Sequence, residues 1–284
     1  MEQTYRYRPG LFFGLTALIT WVPWYFGIRS GAVATESLLS VAGLLGPFVV
    51  SLALTFGSGN RALRLDLRDR LFDWRRIRPA DLLLAVVMPV AVLTLSVGVS
   101  MLLGEPGGQL RLSAADNLVP MIVLALILAP IIEELGWRGY GMDSLRAGLG
   151  AVPASLVFGV LWSLWHAPLV LLHGTYQREL YEMENPLFLA NFFVGAVPVA
   201  IVANWFYYRS GRSIPMSMVF HSALNGAAVL LSAGQVAKTI ATVFYLGIAI
   251  VMVRDRAVFG GGPRNFIGDP GTGEARPGRD ILPS

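Results

Sequence analysis

The feature that most constrains this chain is a succession of long apolar runs separated by short blocks rich in arginine. Eight such runs lie at approximately 11–28, 38–57, 80–103, 117–137, 152–173, 187–208, 213–232 and 236–253. Each is near the roughly 20 residues a helix needs to cross the hydrocarbon core of a bilayer. The runs are continuous rather than alternating, which argues against a transmembrane β-barrel. Only 14% of the residues are charged, against about a quarter in a soluble domain. That is too little polar surface to wet a globule of 284 residues. The expected fold is an all-α polytopic membrane protein, with about eight transmembrane helices bundled around an intramembrane cavity. Residues 1–256 form the helical domain, and 257–284, rich in Gly and Pro, read as a disordered cytoplasmic tail.

Arginine sets the expected orientation. The segment 61–78 holds seven Arg against three Asp, and Arg138, Arg146, Arg209, Arg212 and Arg254 share its side. The opposite connection, 174–186, carries Arg178 with Glu179, Glu182 and Glu184. The positive-inside rule places the first set, and both termini, in the cytoplasm. Leu63, Leu67, Leu71 and Trp74 recur at helical spacing, so the basic segment is expected to lie along the inner membrane surface as an amphipathic helix. Residues 1–34 resemble a signal peptide, but the apolar run is long for one, and an uncleaved first span is the expectation. The net charge of +4 could suggest nucleic acid, yet Lys238 is the sole lysine and the arginines sit between spans. That is a topology signal, and no nucleic-acid partner is expected. The absence of cysteine excludes disulfides, thiolate metal sites and a cysteine nucleophile.

Ionisable side chains inside such runs are costly, about 2.5–3.5 kcal/mol each at mid-bilayer, and usually face a working cavity. Three places carry them. In APIIEELGWRGYG, 129–141, Glu134 and Arg138 are four apart and can pair on one helix face. Glu133 points about 100° away and is left as the unpaired carboxylate, with Gly136 expected to leave space beside it. Pro130 should break the ladder just before the acids and free a backbone carbonyl. In WSLWHAPL, 162–169, Trp162 and His166 share a face. In SIPMSMVFHSALNG, 213–226, Ser213 is a plausible N-cap with Pro215 in the first turn, and His221 and Asn225 lie one turn apart. His173, where the fifth span meets the outer loop, is expected to be interfacial and without such a partner. Each place alone has a bland reading: a helix reaching the interface, a satisfied core histidine, an interhelical hydrogen bond. Together they fit hydrolysis, which needs a base for water and donors for an oxyanion. Glu133 and His166 could supply the first, and His221 with Asn225 the second.

At these residues the chain resembles the CPBP family of membrane proteins, which contains the type II CAAX prenyl endopeptidases. The family pattern EExxxR, FxxxH, HxxxN reads here as Glu133-Glu134 with Arg138, Trp162 with His166, and His221 with Asn225. Trp162 stands where the family has Phe. The resemblance covers about 115–230, the expected catalytic core. It implies that Glu133 activates water with His166, that His221 and Asn225 form the oxyanion hole, and that Glu134 with Arg138 braces Glu133. Relatives are often called metalloproteases, and Glu133, His166 and His221 would be the zinc ligands if zinc is present. The expectation is a metal-free site, because the neighbours of His166 offer little to fix its ring. Expected partners are the bilayer and a peptide or prenylated-protein substrate, and the expected location is a prokaryotic plasma membrane. Two other functions fit the same elements: a non-catalytic binder, scaffold or bacteriocin-immunity protein, and a transporter using the glutamate as a proton relay. No internal symmetry supports the transporter.

Overall fold

The computed structural model describes residues 5–112 and 118–267. Among these there is no strand, only a single bridge between Leu112 and Leu231. Six helical segments are long and apolar enough to cross a membrane: Pro9–Ser30, Val33–Gly57, Pro79–Leu102, Ala151–Leu171, Pro186–Arg209 and Gln235–Met252. The other two expected spans take different forms. One is α12, Ile214–Leu230, apolar but of only 17 residues. The other, expected at 117–137, begins outside the described residues and is a segmented helix. It runs as α6 (Leu118–Ile122), a π-helical stretch Val123–Leu128, α7 (Ala129–Gly136), a π-helical turn Trp137–Gly141 and α8 (Met142–Arg146).

The remaining elements are α1 (Pro9–Ser30), α2 (Val33–Leu44), α3 (Gly46–Gly57), α4 (Arg61–Phe72) and α5 (Pro79–Leu102). After the segmented helix come α9 (Ala151–Trp165), α10 (Tyr176–Glu182), α11 (Pro186–Arg209), α13 (Gln235–Met252) and α14 (Arg256–Phe259). Local sequence explains the boundaries. Gly31, at φ 65, closes α1 in the left-handed region that glycine tolerates. Ser213 caps α12 by accepting from the Met216 N–H, with Pro215 in the first turn, as the sequence predicts.

The core is aromatic. Phe12 and Trp24 of α1 pack with Trp137, Tyr140, Phe158 and Trp165, all buried. The first helix is thus built into the bundle. Close packing against the segmented helix depends on its glycines. A Cβ at Gly136 would lie 2.4 Å from the Pro47 backbone of α3. Gly136 therefore admits a neighbouring helix and does not leave space beside Glu133.

Two further expectations are corrected. In α4 the leucine face is present, but Leu63 and Leu67 are buried against the protein. Leu67 packs with Tyr207 and Ile214, and Leu71 lies partly buried beside them. Arg70, on the same helix, is wholly buried. Phe72 and Trp74 are the exposed apolar residues of this segment. The start of the expected tail is also packed: Asn265 donates to the Tyr5 carbonyl at 2.8 Å, and Ile267 is buried. Phe266 lies under the Arg212 guanidinium at 3.9 Å. The rest of that tail, 268–284, lies outside the described residues.

Candidate active site

The residues singled out in sequence come from α7, the π turn after it, α9 and α12. The geometry begins at Pro130. At the end of the π-helical stretch the Ala129 N–H bonds to the Leu124 carbonyl, an i→i−5 step. In that register the next carbonyl, Ala125, would accept from residue 130, which is proline and has no N–H. The carbonyl freed in this way accepts from Asn225 Nδ2 of α12 at 2.8 Å. An amide nitrogen carries two hydrogens, so one of the Asn225 donors is spent on the backbone and one is left.

Glu133 is 5% exposed. Its Oε2 accepts from two indoles, Trp137 Nε1 at 3.2 Å and Trp162 Nε1 at 3.1 Å. Glu134 takes the charged partners. Arg138 Nη1 lies 2.9 Å from its Oε1 and 2.8 Å from its Oε2, and His221 Nδ1 lies 3.0 Å from Oε1. The i, i+4 pair is as the sequence predicts. The bracing role differs, because the Glu134 bonds run to His221 and Arg138 rather than toward Glu133. Arg138 is further fixed by Asn204 Oδ1 of α11 at 3.1 Å and sits 4.7 Å over the Phe158 ring.

The two histidines are oriented alike. His166 Nδ1 is 2.7 Å from the Trp162 carbonyl. A carbonyl only accepts, so Nδ1 carries the hydrogen and Nε2 presents a bare lone pair. His221 Nδ1 likewise faces an acceptor carboxylate, leaving Nε2 for other work. Trp162 joins the set. Its indole donates to Glu133, and its ring meets His166 edge-on at 5.4 Å and His221 at 5.9 Å. Phe192 of α11 closes on His166 at 5.5 Å.

The ring nitrogens bear on the question of metal. Both Nδ1 atoms have the acceptor partners that hold a metal-ligating imidazole, so the expectation that His166 lacks such support is overturned. Even so, Glu133, His166 and His221 do not gather into a group able to hold an ion among the described residues. His173 is also corrected: its main-chain N–H and its Nδ1 both bond to Glu36, the ring at 3.1 Å, while its side chain stays largely exposed.

Sequence reasoning did not single out Trp137, Asn204, Phe158 or Phe192. Trp137 was legible as the i+4 neighbour of Glu133. Asn204 was legible as a polar residue in an apolar span. A second buried polar cluster, at the arginine-rich end of the bundle, was not foreseen. Arg70 Nε bonds Asp66 at 2.7 Å, Arg212 Nη1 bonds Asp66 at 2.8 Å, Arg212 Nη2 bonds Asp143 at 2.6 Å, and Arg70 Nη1 reaches Asp143 at 3.2 Å. The four close a neutral ring. Burial pushes the Asp66 carboxyl upward, but Arg212 and Arg70 outweigh it and hold its pKa at about 2.

With this geometry in hand, comparison with known proteins is informative. The family model for type II CAAX prenyl endopeptidase, Rce1-like, matches residues 115–227, a stretch containing every residue of the three motifs. CAAX prenyl protease 2 of Methanococcus maripaludis is 33% identical over 268 residues, covering 91% of this chain and 98% of that protein. The likeness therefore extends well outside 115–230, into spans that precede it.

Proposed function

Because this chain belongs to the type II CAAX prenyl endopeptidase family, we propose that it hydrolyses a peptide bond within the membrane, using water activated by Glu133 and His166. The observation that carries this reading is the state of Glu133: a buried carboxylate held by two indole N–H groups beside two imidazoles with open Nε2 atoms. A base must be within reach of water and free to accept a proton. Neutral donors orient Glu133 for that work, whereas Glu134 is occupied by Arg138 and His221.

In the proposed reaction, water enters an intramembrane cavity beside Trp162 and loses a proton to Glu133, aided by His166 Nε2. The oxygen attacks the scissile carbonyl. With His221 doubly protonated against the Glu134 carboxylate, the oxyanion accepts from its Nε2–H and from the second Asn225 Nδ2 hydrogen, donors of the kind that stabilise such charge by about 3–4 kcal/mol each. The proton held by Glu133 passes to the leaving nitrogen as the C–N bond breaks. The products are a new carboxylic acid and a free amine, and the acid's proton passes to the amine to leave a carboxylate and an ammonium. Glu134 and Arg138 fix the His221 ring. The scheme we propose uses no metal; were zinc present, Glu133, His166 and His221 would be the residues to hold it and it would activate the water. Elemental analysis of active protein checks this: one equivalent of zinc, lost with activity and restored on re-addition, would overturn the metal-free scheme.

The substrate we propose is a peptide following a prenylated cysteine, or another membrane-associated peptide, with the protein resident in a prokaryotic plasma membrane and both termini cytoplasmic. Purified protein with quenched peptides, matched pairs with and without the prenyl group, tests this. Cleavage of the prenylated member is expected. Equal cleavage of both would remove the lipid from the specificity, and cleavage of neither by active-site-intact, folded protein would sink the peptidase reading.

A further inference from the structure

The π turn Trp137–Gly141 supplies two side chains to the proposed site: Trp137, which donates to Glu133, and Arg138, which holds Glu134. A return from π to α winding disturbs the main-chain ladder, and here an outside group donates to the turn. The Arg70 guanidinium of α4 reaches it from 68 residues away. Its Nη1 donates to the Arg138 carbonyl at 2.5 Å and its Nη2 to the Gly139 carbonyl at 2.9 Å. Tyr207 of α11 adds its hydroxyl to the Arg138 carbonyl at 3.3 Å. A planar guanidinium can bridge two adjacent carbonyls in this way, and an ammonium cannot match the fork.

Arg70 is itself immobilised. It is wholly buried, with Nε on Asp66, while Asp143 and the Tyr207 hydroxyl face Nη1 at 3.2 Å and 2.9 Å. Asp143 belongs to α8, directly after the turn, and Arg212, which completes the ring, has a main-chain φ of 66. The ring thus ties α4, the loop before α12, the π turn and the helix after it into one unit. That unit lies outside the catalytic residues and, for α4, outside the stretch 115–227 matched by the family model.

We infer that Arg70 is a positioning residue for the peptide-cleaving site, fastening the π turn so that Trp137 meets Glu133 and Arg138 meets Glu134. This rests on the reading of Glu133 as the base. Arg70 touches no reacting atom; it acts through the two carbonyls and the side chains they carry. Its loss should slow the chemical step and leave substrate binding nearly intact, because a base displaced by a fraction of an ångström still faces a formed pocket.

The test compares full-length wild type with Arg70→Gln, Arg70→Lys and, as a surface control on the same helix, Arg68→Gln, whose side chain is 65% exposed. Turnover and KM are measured on a cleaved peptide, normalised to folded protein, together with amide hydrogen exchange of segment 133–143. For Arg70→Gln a fall in kcat of about tenfold or more is expected, with KM changed less than about threefold, and faster exchange confined to that segment. Arg70→Lys should recover stability better than kcat, and Arg68→Gln should match wild type. Unchanged kcat, a loss explained wholly by the folded fraction, or unchanged exchange at 133–143 would each overturn the inference. If wild type cleaves nothing, the peptidase reading fails and this inference falls with it. If wild type cleaves and Glu133→Gln does not, the reading stands and the Arg70 result alone decides.

Discussion

Two buried polar clusters lie along the segmented helix, and they are finished differently. At the arginine-rich end, Asp66, Arg70, Asp143 and Arg212 form a closed ring in which each carboxylate bridges both guanidiniums. Buried charges are costly unless paired and hydrogen-bonded, and this ring meets the requirement in full. Deeper in the helix, Glu134 and Arg138 repeat the same solution, but Glu133 beside them has only indole donors, and His166 keeps an open Nε2. The first cluster is satisfied and holds elements together. The second retains unspent acceptors, which is what proton transfer requires.

The largest expected effect separates the two clusters at once. Glu133→Gln keeps the side-chain volume and removes the base, so kcat should drop by about 10²–10⁴-fold, with the unfolding midpoint close to wild type. Peptide cleavage and thermal unfolding on the same preparation check this. Asp143→Asn attacks the other cluster. It leaves Arg70 and Arg212 undercompensated in a buried place and should cost about 3–5 kcal/mol of stability, read from unfolding in lipid nanodiscs. Glu134→Gln should resemble the ring more than the base, losing stability through Arg138 and activity less completely than Glu133→Gln. An indispensable Glu134 would reverse the assignment of the pair.

Acid sharpens the comparison next. The Asp66 pKa is lowered from its ordinary 3.8 to about 2, so it favours the folded state when ionised. Its contribution, about 2 kcal/mol, is fully present well above 3.8 and is lost as pH falls through that value toward 2. Unfolding free energy measured down this range should decline in wild type and decline less in Asp66→Asn. The smallest effect belongs to Trp162→Phe, which restores the family's residue. It removes one donor to Glu133 but leaves Trp137 in place and keeps the aromatic wall, so kcat/KM should change less than about tenfold, below the loss of a full oxyanion donor.

What sequence could foresee follows from distance along the chain. The Glu134–Arg138 pair is one helical turn, the carbonyl freed by Pro130 is a rule of the imino acid, and the Ser213 cap is three residues long. All were legible. The order of the three motifs led to the expectation that Glu133, His166 and His221 lie together; Trp162 touches each of them. Gly136 was misread because its partner, Pro47, lies on another helix, and nothing local distinguishes a glycine that leaves space from one that is filled. Arg70 was absorbed into a basic segment whose charge pattern reads as surface. Its burial depends on Asp143 and on carbonyls 68 and 69 residues away, for which the sequence offers no signal. Asn204 could have been found by the rule that singled out Glu133, because an amide in mid-span needs a partner.

The claim that Glu133 acts on water, and does not itself attack the peptide, has a direct test. A single turnover with enzyme in excess, run in water enriched in oxygen-18, labels the product according to the attacking group. Attack by activated water places oxygen-18 in the new peptide carboxylate in that first turnover, with none in the protein, and the Glu133→Gln variant yields no product. A first-turnover product carrying only ordinary oxygen, with the label appearing in the Glu133 side chain, would show a covalent acyl intermediate and contradict the mechanism.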